Sequence, residues 1–280
     1  MSFGEKTLHS LEFDKICEML SSFAPTDGAK QKSLTLTPSD DCDAILKRQK
    51  ITTDARRLCE AKGMPSFGMI KDISDACERA DKGATLSPRE LLDIANLLKT
   101  SRTLIDYFYG NHLFDTVLDE VVNRLTSHRS LEDRITRSVI SEDMIADEAS
   151  ETLADIRRQI RNTNNKIKDT LQKYIQGGSH SKFLQENIVT SRNGRYVIPV
   201  KAEYKNEVKG LIHDTSSSGA TIFVEPVAVV EANNELRVLE SKEEHEIEKI
   251  LSALSASVSD SSDAILLNYR NINELAFAFT

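Results

Sequence analysis

The chain has 280 residues, 39% hydrophobic and 29% charged, with a net charge of −8. That length admits one large domain or two with a sizeable core, and the acidic balance, taken alone, argues mildly against a nucleic-acid partner. No run approaches the roughly 20 apolar residues of a membrane span and the start has no apolar signal core; the four cysteines, Cys17, Cys42, Cys59 and Cys77, form no Cys-x-x-Cys pair and fit a reduced, cytoplasmic protein.

Residues 8–22 carry Leu8, Leu11, Ile16, Cys17 and Leu20 at helical spacing, and Pro25 and Gly28 then punctuate. Thr37-Pro38-Ser39 opens a second helix with Ile45, Leu46, Ala55, Leu58 and Cys59 as its stripe, closed by Gly63. A short helix is expected over 70–81. Ser87-Pro88-Arg89-Glu90 has the form of a capping box with Pro in the first turn; its helix runs to about Tyr109, where Gly110 stops it. Shorter helices are expected over 114–125 and 130–136, and Phe13, Phe108, Phe114 and the methionines read as core.

A long helix is expected from about Asp143. Its stripe is Leu153, Ile156, Ile160, Ile167, Leu171 and Tyr174, with Thr163 as a polar gap, and Gly177-Gly178-Ser179 ends it. A second long helix from Val230 to Val258 repeats the pattern with Leu236, Leu239, Ile247, Ile250, Leu254 and Val258, interrupted by Glu243. Between them, residues 179–227 read as short strands. Arg192-Asn193-Gly194-Arg195 is a hairpin turn, because Asn-Gly accepts the positive φ angles of a type I′ turn. Tyr196, Ile198 and Val200 alternate with other residues, as do Val208, Gly210 and Ile212. Leu211-Ile212 and Ile222-Phe223-Val224 flank a loop, Asp214-Thr215-Ser216-Ser217-Ser218-Gly219. Two long helices around one β-insert suggest an antiparallel lever with the insert at its far end. The serines between 252 and 262 suggest a bend, and residues 271–280 read as an amphipathic helix in mid-course, so a continuation beyond Thr280 is expected.

Charge is unevenly spread. From Ile156 to Ile212 there are twelve Lys or Arg against Asp169, Glu186, Glu203 and Glu207, a surplus of +8 that leaves −16 elsewhere. A basic region on an acidic body fits a polyanion, although a solvated lever face explains the same charges. Arg192, Arg195, Lys201, Lys205 and Lys209, on strands and turns, are the best candidates for phosphate contacts, and the hydroxyls of Ser216, Ser217 and Ser218 could add to them. The plain alternative for those serines is a tight polar loop. His213 and Asp214 beside the serines do not make a triad, since neighbours on a strand point to opposite faces. Gly63-Met-Pro-Ser-Phe-Gly68 has the glycine spacing of a P-loop, but Met69-Ile70 stands where Lys and Ser or Thr are needed. The histidines show no metal-ligand spacing, and His245 among Glu243, Glu244 and Glu246 reads as a surface cluster.

The stretch Gly210-Leu-Ile-His-Asp-Thr-Ser-Ser-Ser-Gly-Ala-Thr-Ile-Phe-Val-Glu-Pro226, followed by Val230-Glu-Ala-Asn-Asn-Glu-Leu236, resembles the type-two bacterial MutS paralogues. Thr7-Leu-His-Ser-Leu-Glu-Phe-Asp14 and Arg192-Asn-Gly-Arg-Tyr-Val-Ile-Pro-Val200 extend the resemblance over essentially the whole chain. It implies a helical core and lever bearing a small β-clamp that touches the nucleic-acid backbone. It also implies that the ATPase domain with its ATP and Mg, and a nuclease-type C-terminal domain, lie outside these residues. No catalytic residue or cofactor is therefore expected here. The implied role is binding branched or duplex DNA without sequence specificity and restraining recombination, in a parent that dimerises largely through its ATPase part; a grip on stalled ribosomes is the alternative, and a coiled-coil interaction module a third. The wedge domain of mismatch-reading relatives is not found. The expected fold is mainly α: a helical core over 1–142, an ascending lever helix over 143–178, a β-clamp over 179–227 and a descending helix over 228–280.

Overall fold

A computed structural model describes residues 4–110, 112–177 and 181–280. The expected helix stop at Gly178-Ser179 and the first residues of the insert lie outside them. The fold is mainly α with a small antiparallel β-insert, and it divides into one unit of residues 1–146 and 251–280 and another of residues 147–250. Among the described residues no single helix is long and apolar enough to cross a membrane.

The first unit holds α1 (Glu5–Ser10), α2 (Phe13–Phe23), α3 (Asp27–Leu34), α4 (Cys42–Lys62), α5 (Ser74–Asp81), α6 (Pro88–Tyr109), α7 (Asp119–Val122) and α8 (Arg129–Ser138), then the hairpin β1 (Val139–Ser141) and β2 (Met144–Ile145). Helix α6 starts as expected: Ser87 Oγ accepts the Glu90 amide, and Glu90 accepts the Ser87 amide at 2.9 Å. It buries Leu91, Ile94, Leu97, Leu98 and Leu104. Elsewhere the boundaries shift. The first expected helix breaks at Glu12, whose φ is +56°. The second starts at Cys42, because the Asp41 carboxylate accepts the amides of Asp43 and Ala44. Helix α3 forms where Pro25 and Gly28 read as punctuation. Thr26 caps it, accepting the Ala29 amide at 3.2 Å and donating its hydroxyl to Asn273 Oδ1 at 2.7 Å. Gly28 lies so close to the Asn273 side chain that a Cβ would clash with it. The methionines among the described residues do not join the core: Met19, Met64, Met69 and Met144 are all exposed, on an outer helix face, a connection and a two-residue strand, and Met1 lies outside the described residues. Phe108 is buried, while Phe13 and Phe114 are half-buried.

The other unit begins with α9 (Glu151–Gln176), started not at Asp143 but by Ser150, whose Oγ accepts the Leu153 amide at 3.0 Å. Four strands follow: β3 (Thr190–Arg192), β4 (Arg195–Lys201), β5 (Gly210–Thr215) and β6 (Thr221–Pro226). They pair antiparallel in the order β3-β4-β6-β5. Asn193 and Gly194 take φ of +52° and +71°, the positive angles expected of the hairpin turn. Helix α10 (Val227–Ser259) returns antiparallel to α9: Ser150 meets Glu246 at 2.8 Å and Arg157 meets Glu243 at 2.6 Å. Glu243, which interrupts the apolar stripe, is thus matched by an arginine. Ile167, Leu171 and Ile175 of α9 share one core with Ile198, Val200, Ile222 and Val224 of the sheet and Val229 and Leu236 of α10. The sheet is packed onto the helices rather than carried loosely beyond them.

The descending helix does not run unbroken to 280. It stops at Ser259, and α11 (Ser262–Ala278) follows. Residues 251–280 belong to the first unit, where Ser255 accepts the Leu86 amide at 2.8 Å and Ser259 and Ser262 donate to Asp81 at 3.1 and 2.7 Å. The serine-rich stretch marks a break because its hydroxyls bond to that unit.

Cys17 and Cys77 are buried, Cys59 is half-buried and Cys42 exposed. Burial, with Asp81 adding to it, pushes the Cys77 thiol from an ordinary 9.0 up to about 11. Iodoacetamide at pH 8 is expected to modify Cys42 first and Cys77 only after unfolding, read by peptide mass spectrometry; labelling of native Cys77 at the rate of Cys42 would contradict the packing. The native thiol holds its proton longer than the unfolded one, so this group's contribution to stability is full below pH 9 and is lost as pH rises towards 11.

Candidate nucleic-acid interface

The twelve cations between Ile156 and Ile212 divide by type. All five arginines pair with carboxylates. Arg157 bonds to Asp147 at 2.7 Å and Glu243 at 2.6 Å, Arg158 to Asp155 at 2.9 Å and Arg161 to Asp147 at 3.3 Å. Arg192 pairs with Asp214 at 3.3 Å and Arg195 with Glu225 at 2.8 Å. Asp147 is held below the usual carboxylate range, chiefly by its bond to Arg157. None of the seven lysines, Lys166, Lys168, Lys173, Lys182, Lys201, Lys205 and Lys209, forms an ion pair among the described residues. The chemistry explains the split. A planar guanidinium matches a carboxylate through parallel hydrogen bonds and loses little hydration when half-buried, whereas an ammonium is strongly hydrated and stays in water.

Arg195, named from the sequence as a candidate phosphate contact, is engaged within the fold. Its side chain is 15% exposed and grips the fully buried Glu225 through both carboxylate oxygens, at 2.8 and 3.1 Å. Glu225 also takes His213 Nε2 at 2.5 Å and Asn233 Nδ2 at 2.8 Å, while Arg195 donates to Asn234 at 2.6 Å. Asn233 in turn exchanges hydrogen bonds with the Tyr196 backbone at 3.1 and 3.2 Å. One buried carboxylate thus ties β4 and β5 to the first turns of α10. The signal in the sequence was Glu225 itself: a carboxylate within Ile-Phe-Val-Glu-Pro demands buried partners. His213 and Asp214 indeed face different partners, and no triad forms.

Arg192 is only half committed. Its guanidinium lies 4.1 Å from the Phe223 ring centroid and donates to the Ser191 carbonyl at 2.9 Å, and its ion pair with Asp214 stands in solvent. Lys201 lies opposite Thr221 in the sheet register, and the Ser216 amide bonds to the Thr221 carbonyl at 2.8 Å, so Lys201 and the serine loop share one end of the sheet. Lys209 sits at the other end, its carbonyl accepting the Val227 amide at 3.2 Å. The six residues of β5 separate these ends by roughly 17–20 Å. Lys205 is exposed on the connection between β4 and β5. The five basic candidates do not form one row. In the loop, Ser216 Oγ accepts the Thr221 amide at 3.1 Å and contacts Ser218 Oγ at 3.3 Å, and Gly219, at φ +74°, closes a turn onto the Ser216 carbonyl. Those hydroxyls hold the turn; Ser217 is exposed.

No family model matches this chain. It is similar to the endonuclease MutS2 of Acetivibrio thermocellus, 46% identical over 279 residues, which are 99% of this chain and 35% of that protein. The endonuclease MutS2 of Clostridium beijerinckii is 40% identical over 278 residues, 99% of this chain and 35% of that protein. That of Pelotomaculum thermopropionicum is 39% identical over 273 residues, 98% and 35%. The chain spans about a third of the length of the curated relatives it matches.

Proposed function

Because this chain is MutS2-like from end to end, we propose that its 147–250 unit grips a nucleic acid by the phosphate backbone without reading sequence. One observation carries the reading: all five arginines of the basic region pair with carboxylates, while none of its seven lysines forms an ion pair among the described residues. The relatives are named endonucleases, so nucleic acid is the class they act on. Sequence reading is not part of the proposal: Lys201, Lys205 and Lys209 sit on or beside strands and turns, where they can meet phosphates, which carry no sequence information. In this reading the antiparallel α9 and α10 act as a lever, and the substrate is duplex or branched DNA whose recombination is restrained. Ribosomal RNA presents the same phosphate charge, and competition by ribosomes at equal phosphate concentration separates the two.

The test is a salt titration of the 280-residue chain with duplex and four-way-junction DNA. A straight fall of log K with log salt, of about 0.9 per phosphate contact, is expected. No binding to either at low salt would end the proposal for this chain.

Asp214 holds Arg192 where a phosphate would. Asp214→Asn is expected to tighten binding several-fold at low salt and to steepen the slope by about 0.9, one contact. Arg192→Gln in the same background should remove both gains. An unchanged slope in Asp214→Asn would take Arg192 out of the interface.

A further inference from the structure

At the Lys209 end of the sheet there is an open cavity of about 330 Å³, lined by Tyr174, Glu207, Lys209, Pro226, Val227 and Ala228. None of these side chains belongs to the Glu225 network or to the serine loop. Of the lining residues Pro226 is buried, Tyr174 is half-buried, and Val227 and Ala228, the first residues of α10, are exposed. Val227 is 65% exposed, and Leu211 and Ile212 on the neighbouring edge strand are 53% and 54% exposed. Val227 thus offers an exposed apolar side chain at the cavity beside Lys209, a lysine without an ion pair among the described residues.

We propose that this cavity takes one unpaired nucleobase of the nucleic acid whose backbone the lysines hold; the inference rests on the backbone grip above. The lining matches the chemistry of a nucleotide part by part. An aromatic ring, a proline and a valine offer apolar contact to the faces of a heterocycle. The Glu207 carboxylate accepts from an exocyclic amino group, as carboxylates do from cytosine N4. The Lys209 ammonium faces the attached phosphate. The volume admits a base and its sugar. A base within an intact duplex would first have to leave its stack, at a cost that is smallest where it is already unpaired. The cavity therefore confers a preference for flaps, gaps and branch points that the lysines alone cannot supply, since phosphates are the same in every duplex.

The test compares two DNA probes of equal length and charge. One carries 2-aminopurine in an unpaired single-nucleotide flap, the other the same base paired within the duplex. The 280-residue chain is expected to bind the flap roughly tenfold more tightly, in line with stacking of one base on an aromatic side chain, and to change its fluorescence. Ala228→Ile, which fills the cavity with neutral bulk, is expected to bring the ratio close to one with the salt slope unchanged. Glu207→Leu, at an exposed position, removes the acceptor and should lower affinity for an adenine flap more than for a thymine flap. Equal affinity for flap and paired probes in the unaltered chain, or a ratio that persists in Ala228→Ile, would overturn the subsite while leaving the backbone grip intact. No binding to either probe at low salt would instead overturn the grip, and the subsite with it.

Discussion

Glu225→Gln is expected to destabilise residues 147–250 by about 3 kcal/mol, the scale seen when one partner of a buried ion pair is removed. The carboxylate is fully buried and receives Arg195, His213 and Asn233, from two strands and a helix. Glutamine keeps the volume, but it removes the charge that compensates Arg195 and turns one acceptor into a donor facing other donors. Urea unfolding followed by circular dichroism measures the loss, and hydrogen exchange at Val197, Ile198 and Val224 assigns it to this unit. Arg195→Met alone should cost a similar amount. The double change Arg195→Met with Glu225→Leu should recover part of it, because an apolar pair is left instead of a stranded charge. A Glu225→Gln chain within 0.5 kcal/mol of the original would show that the network does not hold the sheet to α10.

The second large effect is on binding. Changing Lys201, Lys205 and Lys209 together to Glu is expected to weaken association with duplex DNA at least 100-fold at low salt. The slope of log K against log salt should fall by roughly three, about 0.9 for each lost phosphate contact. The control is Arg161→Met. Arg161 carries the same formal charge but pairs with Asp147 at 3.3 Å. Its loss should leave the slope nearly unchanged and cost little stability, as exposed ion pairs do. If the arginine and the lysines changed the slope alike, the division between structural and available cations would be wrong.

Local chemistry made several elements readable in advance. The Ser87–Glu90 capping box set the start of α6, and Asn193-Gly194 set the hairpin between β3 and β4. The heptad-like stripes located α9 and α10 and their antiparallel return. Signals of this kind act within a turn or two of chain, so they survive folding. The break at Glu12, helix α3 and the β1–β2 hairpin were not readable. Helix α3 is held by a distant partner, Thr26 by Asn273, 247 residues away.

The candidate site shows the same boundary more sharply. Composition alone determined that the region from Ile156 to Ile212 is basic within an acidic chain, and the wording of the β-insert determined its kinship. Which cations are free was decided only by the tertiary structure. Arg195 and Glu225 lie 30 residues apart, and Arg157 and Glu243 lie 86 apart. Whether a charge is neutralised depends on which carboxylate folding brings within 4 Å of it, and on how much water remains around the pair. Neither quantity is a property of the residue or of its neighbours in sequence.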